Sequence, residues 1–201
     1  MNQDIRNIVD YLLFHSPYLN DIGFFHGKMG IVVAMYAYAN RYSDKFIEEY
    51  AWDLLQEVYD GIHADMPIGI ESGLAGIGYA ITLLSEKGWV ECDLNAVLSD
   101  IDSKIMERDP RRITDFSIRT GVKGLQAYLT LRTKNGTPLA TFDERYIVEL
   151  HSVLANQGSF NTAINILELL NKPIFPIHEY MEKPIKIDGG SAYYILKETL
   201  V

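Results

Sequence analysis

Gly69-Ile70-Glu71-Ser72-Gly73-Leu74-Ala75-Gly76-Ile77-Gly78-Tyr79-Ala80-Ile81-Thr82-Leu83-Leu84 decides the fold. A polar, glycine-bearing turn runs directly into a segment that is apolar nearly all round. Gly73 and Gly76 stand three residues apart and so share one face of the first helical turn. Lacking Cβ atoms, that face admits a neighbouring backbone at short range. A helix without a polar face is covered by other helices on all sides.

The pattern recurs on either side. Upstream stands His26-Gly27-Lys28-Met29-Gly30-Ile31-Val32-Val33-Ala34-Met35, and downstream Thr120-Gly121-Val122-Lys123-Gly124-Leu125-Gln126-Ala127-Tyr128-Leu129. The first glycines, Gly27, Gly73 and Gly121, are 46 and then 48 residues apart. Another 40 residues on, Asn161 to Leu167 reads as a copy that has lost both glycines. Such a recurrence marks a repeat architecture.

Amphipathic segments separate these apolar ones. Residues 3 to 15 put Ile5, Ile8, Val9, Leu12 and Leu13 on one stripe. Ser43-Asp44 supplies a helix cap, followed by a stripe of Phe46, Ile47, Tyr50, Ala51, Leu54, Leu55 and Val58 that ends at Gly61. Asp93 caps a third stripe, and residues 143 to 156 carry a fourth. The inner helices are expected at about 27–40, 73–87, 121–133 and 160–171, with turns at 16–26, 108–112 and Asn135-Gly136-Thr137-Pro138. The order amphipathic, buried, four times over, predicts an all-α fold: an α/α toroid-like, incomplete ring of about four helical hairpins with inner and outer layers. Residues 1–172 form these repeats. Residues 173–201, broken by Pro173, Pro176 and Pro184, read as a capping segment or a degenerate fifth hairpin, with Ile185 to Asp188 as a candidate extended stretch.

Composition bounds the function. The chain has 201 residues and a formal net charge of −9, which disfavours nucleic acid and anionic membrane surfaces as partners. One cysteine rules out an internal disulfide and suits a reducing compartment. With no signal-peptide pattern at Met1-Asn2-Gln3-Asp4 and no apolar run long enough to span a bilayer, the expected location is cytoplasmic.

Glu71 to Ala80, with the His26 to Ile31 and Gly121 to Leu125 copies, resembles the inner-helix motif of the lanthionine synthetase C-like family, over about residues 1 to 170. The resemblance implies a toroid of seven inner and seven outer helices, and enzymes that add a cysteine thiol to a dehydroamino acid in a peptide. It also implies a zinc ion held by two cysteines and a histidine, one pair being a Cys-His-Gly. This sequence carries about four of the seven repeats, no Cys-His-Gly, and Cys92 alone. Two thiolates cannot come from one cysteine, so no zinc or other cofactor is expected. The implied reading is a non-catalytic accessory protein of lantibiotic-type peptide modification. It would bind a peptide or a peptide-modifying enzyme, or pair with a second copy through the open ends of the arc.

The candidate residues lie ahead of, or just inside, the apolar helices. His26, Lys28, Glu71, Arg119 and Lys123 are candidate binding groups for a peptide or a carboxylate. His26, Glu71 and Asp115, with Asp65 nearby, are candidate acid/base groups. A carboxylate pair on an α/α barrel suits glycoside chemistry, and a peptide cyclase completed by a partner subunit is the other enzymatic alternative. Each also has a structural reading as a turn or capping residue. Tyr36, Tyr38, Tyr193 and Tyr194 line a groove or fill the core; His15, His63, His151 and His178 show no ligand spacing.

Overall fold

A computed structural model describes residues 3–134, 141–156, 170 and 175–200. Among them every regular element is helical, and the fold is all-α. The expected helix at 160–171 and the turn at 135–138 lie outside the described residues. No described helix is long and apolar enough to cross a membrane.

The chain forms two compact units. One is Met1–Ile62 with Leu167–Val201; the other is His63–Ile166.

In the first unit, α1 (Gln3–His15) buries Ile5, Ile8, Val9 and Leu12. After a 3-10 turn at Ser16–Tyr18, α2 (Lys28–Tyr42) is buried along Met29 to Ala39. Tyr36 and Tyr38 are core residues, not groove residues. Each of its isoleucines and valines, removed from water, contributes about 1.5–3 kcal/mol. Ser43, left-handed at φ 54°, ends α2. Asp44 then caps α3 (Lys45–Asp60), its Oδ1 accepting from the Ile47 amide at 3.2 Å. The expected α3 stripe holds for Ile47, Ala51, Leu54, Leu55 and Val58. Phe46 departs from it and is 61 % exposed, because it lies about a third of a turn off that stripe's centre.

The tail belongs to this unit. A single helical turn, α9 (Ile177–Tyr180), precedes α10 (Ser191–Leu200), which packs on α2 and α1. Ile185 to Asp188 is a turn and not a strand.

In the second unit, α4 (Leu74–Glu86) and α7 (Val122–Thr133) pack together. Gly78 leaves room for the Tyr128 phenol to lie against α4. The third amphipathic segment is two helices, α5 (Leu94–Val97) and α6 (Ser99–Met106), with Asp93 capping the first. The expected loop at 108–112 contains a 3-10 turn, Pro110–Arg112, against which α8 (Glu144–Asn156) packs.

The glycine-marked helices share one entry turn. In each, the residue after the capping glycine donates its amide to the carbonyl seven residues back. The pairs are Lys28 to Asp21 at 2.8 Å, Leu74 to Pro67 at 2.8 Å and Val122 to Asp115 at 2.9 Å. Ser191 to Pro184 at 3.1 Å repeats it, so Gly190 and α10 carry the same turn, which the sequence spacing does not disclose. Glycine is needed there by crowding. A Cβ on Gly27, Gly73, Gly121 or Gly190 would collide with the backbone of its own loop.

Candidate functional site

The polar residues ahead of the apolar helices sit on these entry turns. Within each unit two turns lie side by side, and one backbone bond joins them at the same position. In the second unit the Glu71 amide donates to the Arg119 carbonyl at 2.9 Å. In the first the Asp188 amide donates to the Phe25 carbonyl at 3.2 Å. All four residues stand two before the capping glycine. In the second unit the linkage sets the matching side chains next to each other; in the first the residue that matches Asp188 is the buried Phe25.

In the second unit this brings Glu71 and Arg119 together. Arg119 Nη1 donates to Glu71 Oε1 at 2.8 Å, and both side chains stay partly exposed. Gly69 permits the approach, since a Cβ there would press on Thr120 Cα and the Arg119 carbonyl. Lys123, half-buried in the first turn of α7, has no ion-pair or hydrogen-bond partner for its ammonium among the described residues.

Asp115 has a different place from Glu71. It stands six residues before Gly121 and closes its own loop. Oδ1 accepts from the Ser117 amide at 2.7 Å, and Oδ2 accepts from Ser117 Oγ at 3.1 Å and Thr120 Oγ1 at 2.5 Å. These bonds, Thr120's first, hold its carboxyl below the usual range. Asp21 does the same in the first turn, accepting from the Gly23 amide at 2.7 Å. Asp115 is thus a turn-closing group, and the position that matches Glu71 is held in its turn by Arg119. Asp65 is exposed.

In the first unit, His26 Nε2 lies 4.0 Å from Asp188 Oδ2. Sequence reading passed over Asp188, because the glycine that marks its turn is 69 residues beyond Gly121 rather than 46 or 48. Lys28 is turned to Glu57 Oε2 at 2.5 Å and is nearly buried; its charge is balanced within the unit. His178 lines an open groove of about 440 Å³ with Asp4, Asp10 and Tyr11.

The helix N-termini are largely closed to anions. On α4 the amides of Leu74, Ala75 and Gly76 bond to the carbonyls of Pro67, Ile68 and Gly69. On α2 the amides of Lys28 and Met29 bond to Asp21 and Ile22. A helix end binds an anion through amides that are otherwise unpaired. Recognition at these turns therefore falls to side chains.

The residues do not fit a zinc site of two cysteines and a histidine. Cys92 is the sole cysteine, half-buried near the start of α5. Burial pushes its thiol up, which leaves little nucleophilic thiolate at neutral pH.

No family model matches the chain, and no curated protein matches it.

Proposed function

We propose that this chain is a lanthionine synthetase C-like accessory protein that binds a peptide or a peptide-modifying partner at the entry turns of its apolar helices and does not itself carry out zinc-dependent cyclisation. The observation that carries the reading is the shared backbone linkage between neighbouring turns. It costs each unit a loop whose geometry is fixed by glycines, and in the second unit it holds two partly exposed charged side chains in a set position. Glu71, Arg119 and Lys123 on the second unit present both signs of charge, which suits a polar peptide segment carrying a carboxylate. The missing thiolates support the non-catalytic half of the reading.

The test uses a fluorescein-labelled linear peptide containing dehydroalanine and cysteine. Anisotropy is expected to show saturable binding, weakened in Arg119→Ala and Lys123→Ala. Mass spectrometry with thiol alkylation is expected to show the cysteine still free after incubation with zinc. Cyclisation of that peptide by the chain alone would overturn the proposal.

One observation favours an enzymatic alternative. A histidine beside a carboxylate, His26 with Asp188, is the pairing that orients a general base. On this reading His26→Ala abolishes turnover of a peptide or glycoside substrate while the circular dichroism spectrum is unchanged. Unaltered activity in His26→Ala removes it.

A further inference from the structure

The solvent side of α3 has a character that the entry turns do not explain. Seven large apolar or aromatic side chains stand exposed among the described residues, and three belong to α3: Phe46 on one flank of its buried stripe, Trp52 and Tyr59 together on the other. Scattered singly, such residues mean little; gathered, they mark an interaction surface. Trp52 and Tyr59 are seven apart and so lie on one line along α3. Around them Glu48, Glu49, Asp53 and Asp60 are exposed, with one exposed cation, Lys45, on the same line; none of the four carboxylates makes an ion pair among the described residues, and the face stays net acidic. The base is firm. Arg6 Nη1 bonds to Asp44 Oδ2 at 2.7 Å, Ser16 Oγ to Tyr50 OH at 2.6 Å, and Tyr50 OH to the Leu13 carbonyl at 3.3 Å. These bonds fasten α1 and its following turn to α3.

We propose that this face docks a cationic amphipathic segment of a partner protein. The segment's apolar side chains rest on Trp52 and Tyr59, and its lysines and arginines face Glu48, Glu49, Asp53 and Asp60. Charge selects the occupant. An anionic membrane or nucleic acid is repelled by the four carboxylates and by a chain of net charge −9. A second copy meeting this face across a two-fold axis would set the same carboxylates against themselves. A cation over Trp52 or Tyr59 gains from the ring as well as from the carboxylates.

The probe is a dansyl-labelled peptide with lysine and leucine arranged at helical spacing, titrated into the full chain at 50 and 300 mM salt. Saturable one-to-one binding that weakens with salt is expected. Trp52→Ala, and separately Glu49→Lys with Asp53→Lys, should each weaken it about tenfold. Glu91→Lys with Glu182→Lys changes the net charge equally at exposed sites elsewhere and should leave it nearly unchanged. An equal loss in that control overturns the proposal, since net charge alone then accounts for binding. Wild-type affinity in Trp52→Ala also overturns it. Sedimentation showing a dimer that Trp52→Ala abolishes overturns it in favour of a second copy.

Discussion

Glu71 and Arg119 hold each other twice, once through the backbone at 2.9 Å and once through their side chains at 2.8 Å. The backbone bond does not depend on side-chain identity; the ion pair does. Because the pair is partly exposed, Glu71→Gln or Arg119→Gln should cost no more than about 1 kcal/mol of stability. The reversal Glu71→Arg with Arg119→Glu should restore that stability but not peptide binding. Recovery of both would show that the pair acts only as a clasp. Urea unfolding alongside anisotropy separates the two outcomes.

The buried capping glycines should be the least tolerant turn positions. Alanine at Gly73 forces its Cβ into the Pro67 carbonyl and should cost about 3 kcal/mol. Gly88 is the comparison. It is left-handed at φ +69° with nothing near a Cβ, so alanine there should cost only about 1 kcal/mol. Gly190→Ala should resemble Gly73→Ala. Unfolding midpoints that put Gly190→Ala with Gly88→Ala would argue against a shared turn at Gly190.

Arg132 and Asp102 form a buried ion pair at 3.0 Å, with both side chains sealed from solvent. Asp102 also accepts from Tyr128 OH and Thr141 Oγ1, each at 2.5 Å, and Arg132 Nη2 donates to Asn95 Oδ1 at 3.2 Å. Removing one charge strands the other. Asp102→Ala should therefore cost about 3–5 kcal/mol. Arg132→Met in the Asp102→Leu background should recover much of that loss, as apolar packing replaces two desolvated charges. A double variant less stable than either single one would refute this.

The raised Cys92 thiol predicts slow chemistry. At pH 7.5 iodoacetamide should modify it more slowly than N-acetylcysteine, the rate climbing as pH rises further and more thiolate forms. Burial, the largest cause of the shift, disfavours the charged form, which fixes the sign. Alkylation as fast as that of the free thiol would mean an activated sulfur.

Local rules made much of this legible. Asp44 and Asp93 announce their helices as caps, the stripes of α1 and α3 follow the helical period, and Gly27, Gly73 and Gly121 open apolar helices where the repeat places them. What escaped depends on contacts across long separations. Nothing local to Asp102 tells that Arg132, thirty residues on, will neutralise it. The turn at Gly190 escaped because Tyr193 replaces the second glycine and the interval is stretched. Asp115 and Glu71 looked alike because both are acids ahead of a glycine. Only the hydrogen bonds separate the one that closes its loop from the one that reaches the next.

That α10 seats on α2 has a consequence for biosynthesis. The most fully buried helix of the first unit leaves the ribosome long before the strip of chain that shelters it, and the whole second unit is made in between. A nascent chain therefore carries α2 with one flank bare while the second unit is synthesised, an interval open to chaperones. His63–Ile166, uninterrupted in sequence, has no such wait.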